Sequence, residues 1–260
     1  MCKLKIRNGA FHITQTKSSM PKKVLFINQE ITPYVPETEL STMGYQLPQK
    51  VQEEGYEIRT FMPKWGNINE RRGQLHEVIR LSGINLIIDE TDHPLIIKVA
   101  SIPSTRIQVY FIDNDDYFMK RLMAVDENNV EYQDNGQRAI FFARGVLETV
   151  KKLRWYPDII HCQGWMTSII PILIKKSYND EPAFAHTKVI TSLFSNEMKG
   201  SLGNNFKKSL EYKNIKATTL KDFNDDFNYT ELEKLAVAYS DGVIEGSQKI
   251  NKELLDFAAS

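Results

Sequence analysis

The order of the first three segments most constrains what this chain can fold into. Val24-Leu25-Phe26-Ile27 is a short unbroken apolar run, the form a strand takes when both of its faces are covered. A helix is expected from Ser41, with Met43, Leu47 and Val51 four apart along one face and Gly55 placed as a left-handed terminus. Ile58 to Met62 reads as a second strand. Strand, helix, strand in this order argues for an α/β fold, a parallel sheet with helices on both faces.

The middle of the chain differs. Glu77 to Leu86, Leu95 to Ala100 and Gln108 to Ile112 are β-rich and separated by polar turns, with no room for long helices. They are expected to form a hairpin or meander insertion at one edge of the sheet. Asn135 to Leu153 is the clearest helix, because Ala139, Ala143, Val146, Val150 and Leu153 recur at spacings of three and four. Arg138, Glu148, Lys151 and Lys152 are assigned to its other side. Asp158 to His161 reads as a strand and Met166 to Lys176 as a helix that Pro171 kinks or delays. Lys188 to Leu193 reads as a strand, and residues 200–228 as a polar excursion with some helix. Helix, strand and helix follow over Thr230 to Tyr239, Gly242 to Glu245 and Ser247 to Phe257. Residues 1–21 read as a flexible leader, with Met20 an alternative start to Met1, and residues 22–260 as one domain.

Composition narrows the partners. Lysine plus arginine and aspartate plus glutamate both number 33, so neither nucleic acid nor an anionic membrane is the expected partner. The only cysteines, Cys2 and Cys162, lie far apart, which fits a reducing compartment. Apolar stretches such as Ile169 to Ile174 are far short of the ~20 residues of a membrane helix. No secretory signal is evident, so a cytoplasmic location is expected.

Ligands of an open parallel sheet bind beyond the carboxyl ends of its strands. That rule selects Gln29 to Glu39, Asp113 to Tyr117, Cys162 to Trp165 and Ser192 to Lys199. The phosphate-cradling G-x-x-x-x-G-K-[ST], the dinucleotide G-x-G-x-x-G and the G-x-S-x-G elbow are absent, which argues against a nucleotide kinase, a conventional dehydrogenase or an α/β-hydrolase. Asp113-Asn114-Asp115-Asp116 admits a metal reading, since hard cations want clustered carboxylates. Such a run is more often a solvated turn, and no metal or other cofactor is expected. His161 reads equally as a satisfied structural histidine and as a functional one. Trp165 reads as a packed core residue or as a sugar-stacking platform. Cys162 reads as buried, with no neighbouring cations to activate it.

The ordered segments carry a resemblance. Lys23-Val24-Leu25-Phe26-Ile27-Asn28-Gln29-Glu30-Ile31-Thr32-Pro33 resembles the first strand and "SE-x-x-P" turn of bacterial glycogen synthases and plant starch synthases. Leu47-Pro48-Gln49, then Gly55 to Arg59 and Met62-Pro63, is similar to their following helix and second strand. Tyr110 to Asn114 resembles "Y-F-x-D-N", and Asp134-Asn135, Arg138, Phe141-Phe142 and Leu147-Glu148 resemble "DN-x-x-R-F-x-F-F-x-x-x-x-L-E". Pro157 to His161 with Trp165 resembles "PDI-x-H-x-H-D-W-H". The resemblance implies the N-terminal, Rossmann-like half of a GT-B glycosyltransferase. It implies the family reaction too, metal-free glucosyl transfer from ADP-glucose (or UDP-glucose) to an α-1,4-glucan, with the acceptor held mainly by this half.

Three departures qualify that reading. The chain stops where the family's N-terminal domain stops, so its donor-binding domain is expected to be lacking. The family's "K-x-GGL" stands here as Pro36-Glu37-Thr38-Glu39-Leu40, a degenerate donor loop whose carboxylates would repel a diphosphate. "H-x-H-D-W-H" stands as His161-Cys162-Gln163-Gly164-Trp165-Met166, and "T-I-H-N" as Thr191-Ser192-Leu193-Phe194. No catalytic set is intact, and the chain alone is expected not to transfer glucose. Asp113, Asn114, Asp134, Asn135, His161, Gln163 and Trp165 remain as sugar-binding candidates. The expected partners are an α-1,4-glucan (a maltooligosaccharide) and either a separate donor-binding domain or an active synthase. The alternative is a non-catalytic glucan-binding or regulatory partner of such a synthase.

Overall fold

The structure, a computed structural model, describes residues 21–103, 105–195 and 198–260. The leader therefore lies outside the described residues, apart from Pro21. The opening segments fold as the apolar pattern predicts: β1 (Lys23–Asn28), α1 (Glu39–Glu53) and β2 (Glu57–Pro63), with β1 and β2 parallel. Gly55 carries φ +90° and turns the chain out of α1. The face of α1 differs from the expected one. Leu40, Ser41, Gly44 and Pro48 are buried, while Met43, Leu47 and Val51 are half-buried. Gly44 explains this, because a Cβ there would stand 2.3 Å from the Glu30 carbonyl oxygen. The helix can lie against the end of β1 only along its glycine.

The middle segments form α2 (Glu70–Gly73), β3 (His76–Glu77), β4 (Ile84–Ile88), β5 (Thr91–Ser101) and β6 (Gln108–Asp113). β4 and β5 are an antiparallel hairpin whose two linking residues, Asp89 and Glu90, both have positive φ, the backbone of a tight turn that matches strand twist. The edge meander is thus only partly as expected. β6 pairs antiparallel with β5 but parallel with β2, which makes it a full member of the central sheet.

The second half adds α3 (Asn135–Leu153), β7 (Ile159–Gln163), a 3-10 turn (Trp165–Thr167), α4 (Ile170–Ile172), a widened π turn (Leu173–Ser177) and β8 (Lys188–Leu193). Pro171, in the first turn of α4, delays the start of the expected helix, and α4 runs on without a break into the π turn. The polar excursion holds α5 (Phe206–Leu210) and one 3-10 turn (Ala217–Thr219). The chain then forms α6 (Tyr229–Tyr239), β9 (Gly242–Glu245) and α7 (Lys252–Ala259). α7 starts later than the sequence pattern suggests because Ser247 is engaged elsewhere, donating to Glu39 Oε2 at 2.6 Å.

The sheet order is β3-β5-β6-β2-β1-β7-β8-β9, with β4 on β5. One core cluster contains Leu25 and Ile27 of β1 together with Phe141, Phe142, Val146 and Val150 of α3. Arg138 also points inward and is fully buried, against the expectation that its charge would keep it on the outer side. Among the described residues no helix is long and apolar enough to cross a membrane.

Candidate functional site

From β1 the chain passes through α1 to β2 on one side, and from β6 through α3 to β7 on the other. The strand order reverses between β1 and β7, so the crevice of an open sheet opens at their carboxyl ends. Asn28 and Gln163 stand there as register partners, and Gln29 N–H donates to the Gln163 carbonyl at 2.9 Å. Gly164 has φ +86°, and a Cβ on it would meet Gln29 Cβ at 2.7 Å. That turn sends Trp165 inward. Trp165 is 3% exposed and sits in the core, so its ring offers no open face to a sugar and the packed-core alternative is the one observed.

Side chains alternate across a strand, so Phe26, Asn28, His161 and Gln163 share one face of the sheet. His161 is buried, with its ring edge-on to Phe26. Its Nε2 is 2.7 Å from Ser192 Oγ and its Nδ1 is 3.3 Å from Gln163 Nε2. Burial pushes its pKa down to about 4, so it is a neutral, hydrogen-bonded imidazole. Gln163 Oε1 and both side-chain polar atoms of Asn28 are buried with no protein partner. Cys162 is a buried free thiol whose pKa burial raises, and it is inert as a nucleophile.

The segment from Glu30 to Ser41 is bonded to itself. Thr38 caps α1 by accepting from Ser41 N–H at 3.0 Å, while Thr38 N–H donates to Ser41 Oγ at 2.8 Å. The Thr38 hydroxyl donates to Glu30 Oε2 at 2.8 Å. Glu30 also accepts from Gln29 Nε2 at 3.1 Å, and burial raises its pKa. Pro36 contributes its carbonyl to Ser41 Oγ at 3.1 Å. Glu37 is exposed, and Glu39 occupies the first turn of α1.

The other candidates hold loops. Asp113 is buried and paired with Lys98 at 2.8 Å, and Lys98 also reaches Glu70, which pairs with Lys64. Asn114 Nδ2 donates to the Pro94 carbonyl at 2.8 Å, and its Oδ1 accepts from the N–H groups of Asp116 and Tyr117. Asp116 lies 2.9 Å from His93 Nδ1. The acidic run is therefore an internally bonded turn, and among the described residues no group of three or more His, Cys, Asp or Glu is placed to hold a metal ion. Asp134 pairs with Arg121, and Asn135 Nδ2 donates to the Ala124 carbonyl while its Oδ1 accepts from Arg138 at 2.7 Å. Arg138 donates in addition to the carbonyls of Tyr117 and Leu122 and lies over Trp65, Phe118 and Tyr132. These residues brace the segment after β6.

The site thus brings together Asn28, Glu30, Thr38, His161, Gln163 and Ser192. Asn28 was not singled out from sequence, although an amide ending an apolar strand was the available signal. Ser192 lay in a selected loop but carried no motif.

Residues 23–259 match the family model described as the starch synthase catalytic domain. The chain belongs to that family. It is 39% identical over 181 residues to the glycogen synthase of Chlorobium luteolum, covering 69% of this chain and 37% of that protein. It is 38% identical over 172 residues to the glycogen synthase of Chlorobaculum tepidum, covering 66% of this chain and 35% of that protein. The chain therefore spans little more than a third of the length of these relatives. In structure it is similar to the catalytic domain of starch synthase IV from Arabidopsis thaliana bound to ADP and acarbose. That match has a TM-score of 0.70 at 19% identity, over 86% of this chain and 44% of that one. The fold is that of one half of a GT-B glycosyltransferase, as the motifs imply.

Proposed function

We propose that this domain holds the acceptor side of glycogen/starch synthase-type transfer and carries out no transfer by itself. The observation that carries the glucan reading is the amide pair at the switch point. Asn28 and Gln163 keep buried polar atoms without protein partners. Both residues are 0% exposed, so a sugar hydroxyl, which both donates and accepts, pairs with these otherwise costly atoms only once the loops after β1 and β7 part. His161, itself held by Ser192, hydrogen-bonds Gln163, while Asp113, Asn114, Asp134 and Asn135 shape the neighbouring segment. Among the candidates, Gln163 is the one assigned direct contact.

The absence of transfer rests on charge. A developing diphosphate needs preorganised positive groups, and the amino end of a helix is the usual anion site. At α1 that end is already capped by Thr38 and faced by the carboxylate of Glu39. His161 is neutral, and Lys64 is paired with Glu70.

Titration with maltoheptaose at millimolar concentration, followed by amide shifts, tests the binding half. Saturable shifts at residues 28–30, 163–166 and 192 are expected, and Gln163→Leu should weaken them. No shift in these loops overturns the glucan reading in favour of a regulatory partner of an active synthase. Acceptor-dependent ADP release from ADP-glucose, above a heat-killed control, overturns the inactivity.

A further inference from the structure

The amide pair at the switch point lies under a cover, and the cover is fastened across the sheet. Asn28 and Gln163 are 0% exposed, although Asn28 Oδ1, Asn28 Nδ2 and Gln163 Oε1 have no protein partner. The register of β1, β2 and β6 puts Met62 and Phe111 on the same face as Asn28. The Tyr34 ring stands edge-on to Phe111 with centroids 4.9 Å apart, so the segment after β1 folds back over that face. Leu40 closes the β7 side, its Cδ2 lying 3.0 Å from where a Cβ on Gly164 would stand. Residues 30–41 are one braced unit, because Thr38 bonds both Glu30 and Ser41 and Thr32 N–H donates to the Ser41 carbonyl at 3.1 Å. The loop after β9 is braced as well. Gly246 N–H donates to the Leu193 carbonyl at 2.8 Å, and a Cβ on Gly246 would meet the Phe194 ring at 2.8 Å. Ser247 joins the two units. Its Oγ accepts from Ser195 N–H at 3.1 Å and donates to Glu39 Oε2 at 2.6 Å.

We propose that the Glu39–Ser247 contact is a latch that holds the first turn of α1 over the amide pair, and that this structure is the closed, autoinhibited form of the crevice. Sealing unpaired amide atoms away from water opposes closure, so the closed form needs contacts that hold it. A hydroxyl donating to a carboxylate is among the stronger single contacts available. Glu39 also suits its own position, since a carboxylate in the first turn of a helix is favoured by the helix dipole. The latch therefore joins two units that are each already formed, and its loss frees one from the other without unfolding either. A ligand that reaches only the open form has its affinity reduced by the open fraction. That the entering ligand is a glucan rests on the function proposed above. The latch itself does not.

The test compares the whole chain with its Ser247→Ala variant by amide hydrogen exchange and by titration with maltoheptaose. Two amides report the parting of the loops after β1 and β7: Met166 N–H, which donates to Gln29 Oε1 at 3.2 Å, and Gln29 N–H, which donates to the Gln163 carbonyl. Loss of the latch should speed their exchange roughly 3- to 30-fold and tighten maltoheptaose binding by the same factor. Glu39→Gln, at an exposed position, keeps an acceptor but removes its charge. It should give the same changes at about 2- to 5-fold, and it keeps the proposal testable if Ser247→Ala fails to fold. Unchanged exchange at both amides overturns the latch, and sugar binding that persists there leaves the proposed function standing. Faster exchange with no sugar bound by either protein supports the latch and removes the proposed function. Faster exchange with equal sugar affinity in variant and wild type overturns the autoinhibition.

Discussion

Replacing Glu233 with glutamine should uncover a pH dependence that the wild-type protein hides. Glu233 lies on α6, is 3% exposed and accepts one hydrogen bond, from Ser168 Oγ at 2.6 Å. Burial raises its pKa from 4.5 to about 7. Between those values the folded state holds a proton that the unfolded state releases, so stability falls as pH rises, and the loss is complete above about 7. At about 1.4 kcal/mol per pH unit the loss is about 3 kcal/mol. His161 runs the other way. Its pKa falls from 6.5 to about 4, so the unfolded state binds the extra proton and stability rises with pH across that window, again by about 3 kcal/mol. The two slopes oppose each other between pH 4.5 and 6.5. Urea unfolding at half-unit steps from pH 4.5 to 8 is the assay. Glu233→Gln should leave a rise up to about pH 6.5, with its stability gaining on wild type by about 3 kcal/mol between pH 4.5 and 7. The glutamine amide needs a partner of its own, at about 1–3 kcal/mol. That cost is independent of pH and moves the whole curve. Parallel curves for variant and wild type would refute the reasoning.

Asn28→Leu, which removes two buried unpaired atoms at similar volume, should stabilise the fold by about 1 kcal/mol in urea while abolishing sugar-induced shifts at the crevice. Gly164→Ala should cost about 1–3 kcal/mol in thermal melts, since it forces φ +86° on a residue with a Cβ and crowds Gln29. Arg138→Met should cost about 3–5 kcal/mol or prevent folding, because three acceptors lose a buried charged donor. Retained wild-type stability would show that the segment after β6 needs no brace. Thr38→Ala should cost about 1 kcal/mol through loss of the α1 cap, and an unchanged melt would count against the capping geometry.

What was legible in the sequence was local. β8 and α3 fall on the expected residues because their signals, an apolar run and a spacing of three and four, lie within the segment itself. Gly55 ends α1 for the same reason. What was not legible depended on distant partners. Arg138 reads as an outward charge until the carbonyls of Tyr117 and Leu122 and the rings of Trp65, Phe118 and Tyr132 are folded around it. Trp165 becomes core only because Gly164 turns the chain beneath Gln29. The strand pattern places the four crevice loops but cannot say which polar groups satisfy one another there. Asp113 and Asn114 looked like ligands for a sugar and are instead occupied by Lys98, by the Pro94 carbonyl and by their own turn.

That distribution of satisfied and unsatisfied groups also bears on the kind of ligand the crevice can take. The ionic groups facing it from the strand ends are engaged or neutral: Asp113 with Lys98, Lys64 with Glu70, His161 uncharged, and Glu30 hydrogen-bonded to Thr38 and Gln29 with its pKa raised by burial. The groups left unpaired are amides, Asn28 and Gln163. Charged ligands gain from unpaired charge, and their binding weakens as salt screens it. A neutral polyhydroxylated ligand gains from amides in fixed positions, and salt leaves that gain nearly untouched. Glucan binding at this crevice should therefore keep its affinity from 20 mM to 500 mM salt, values chosen to move the screening length from roughly 20 Å to below 5 Å. A loss beyond a few-fold would mean that charges, not amides, carry the recognition.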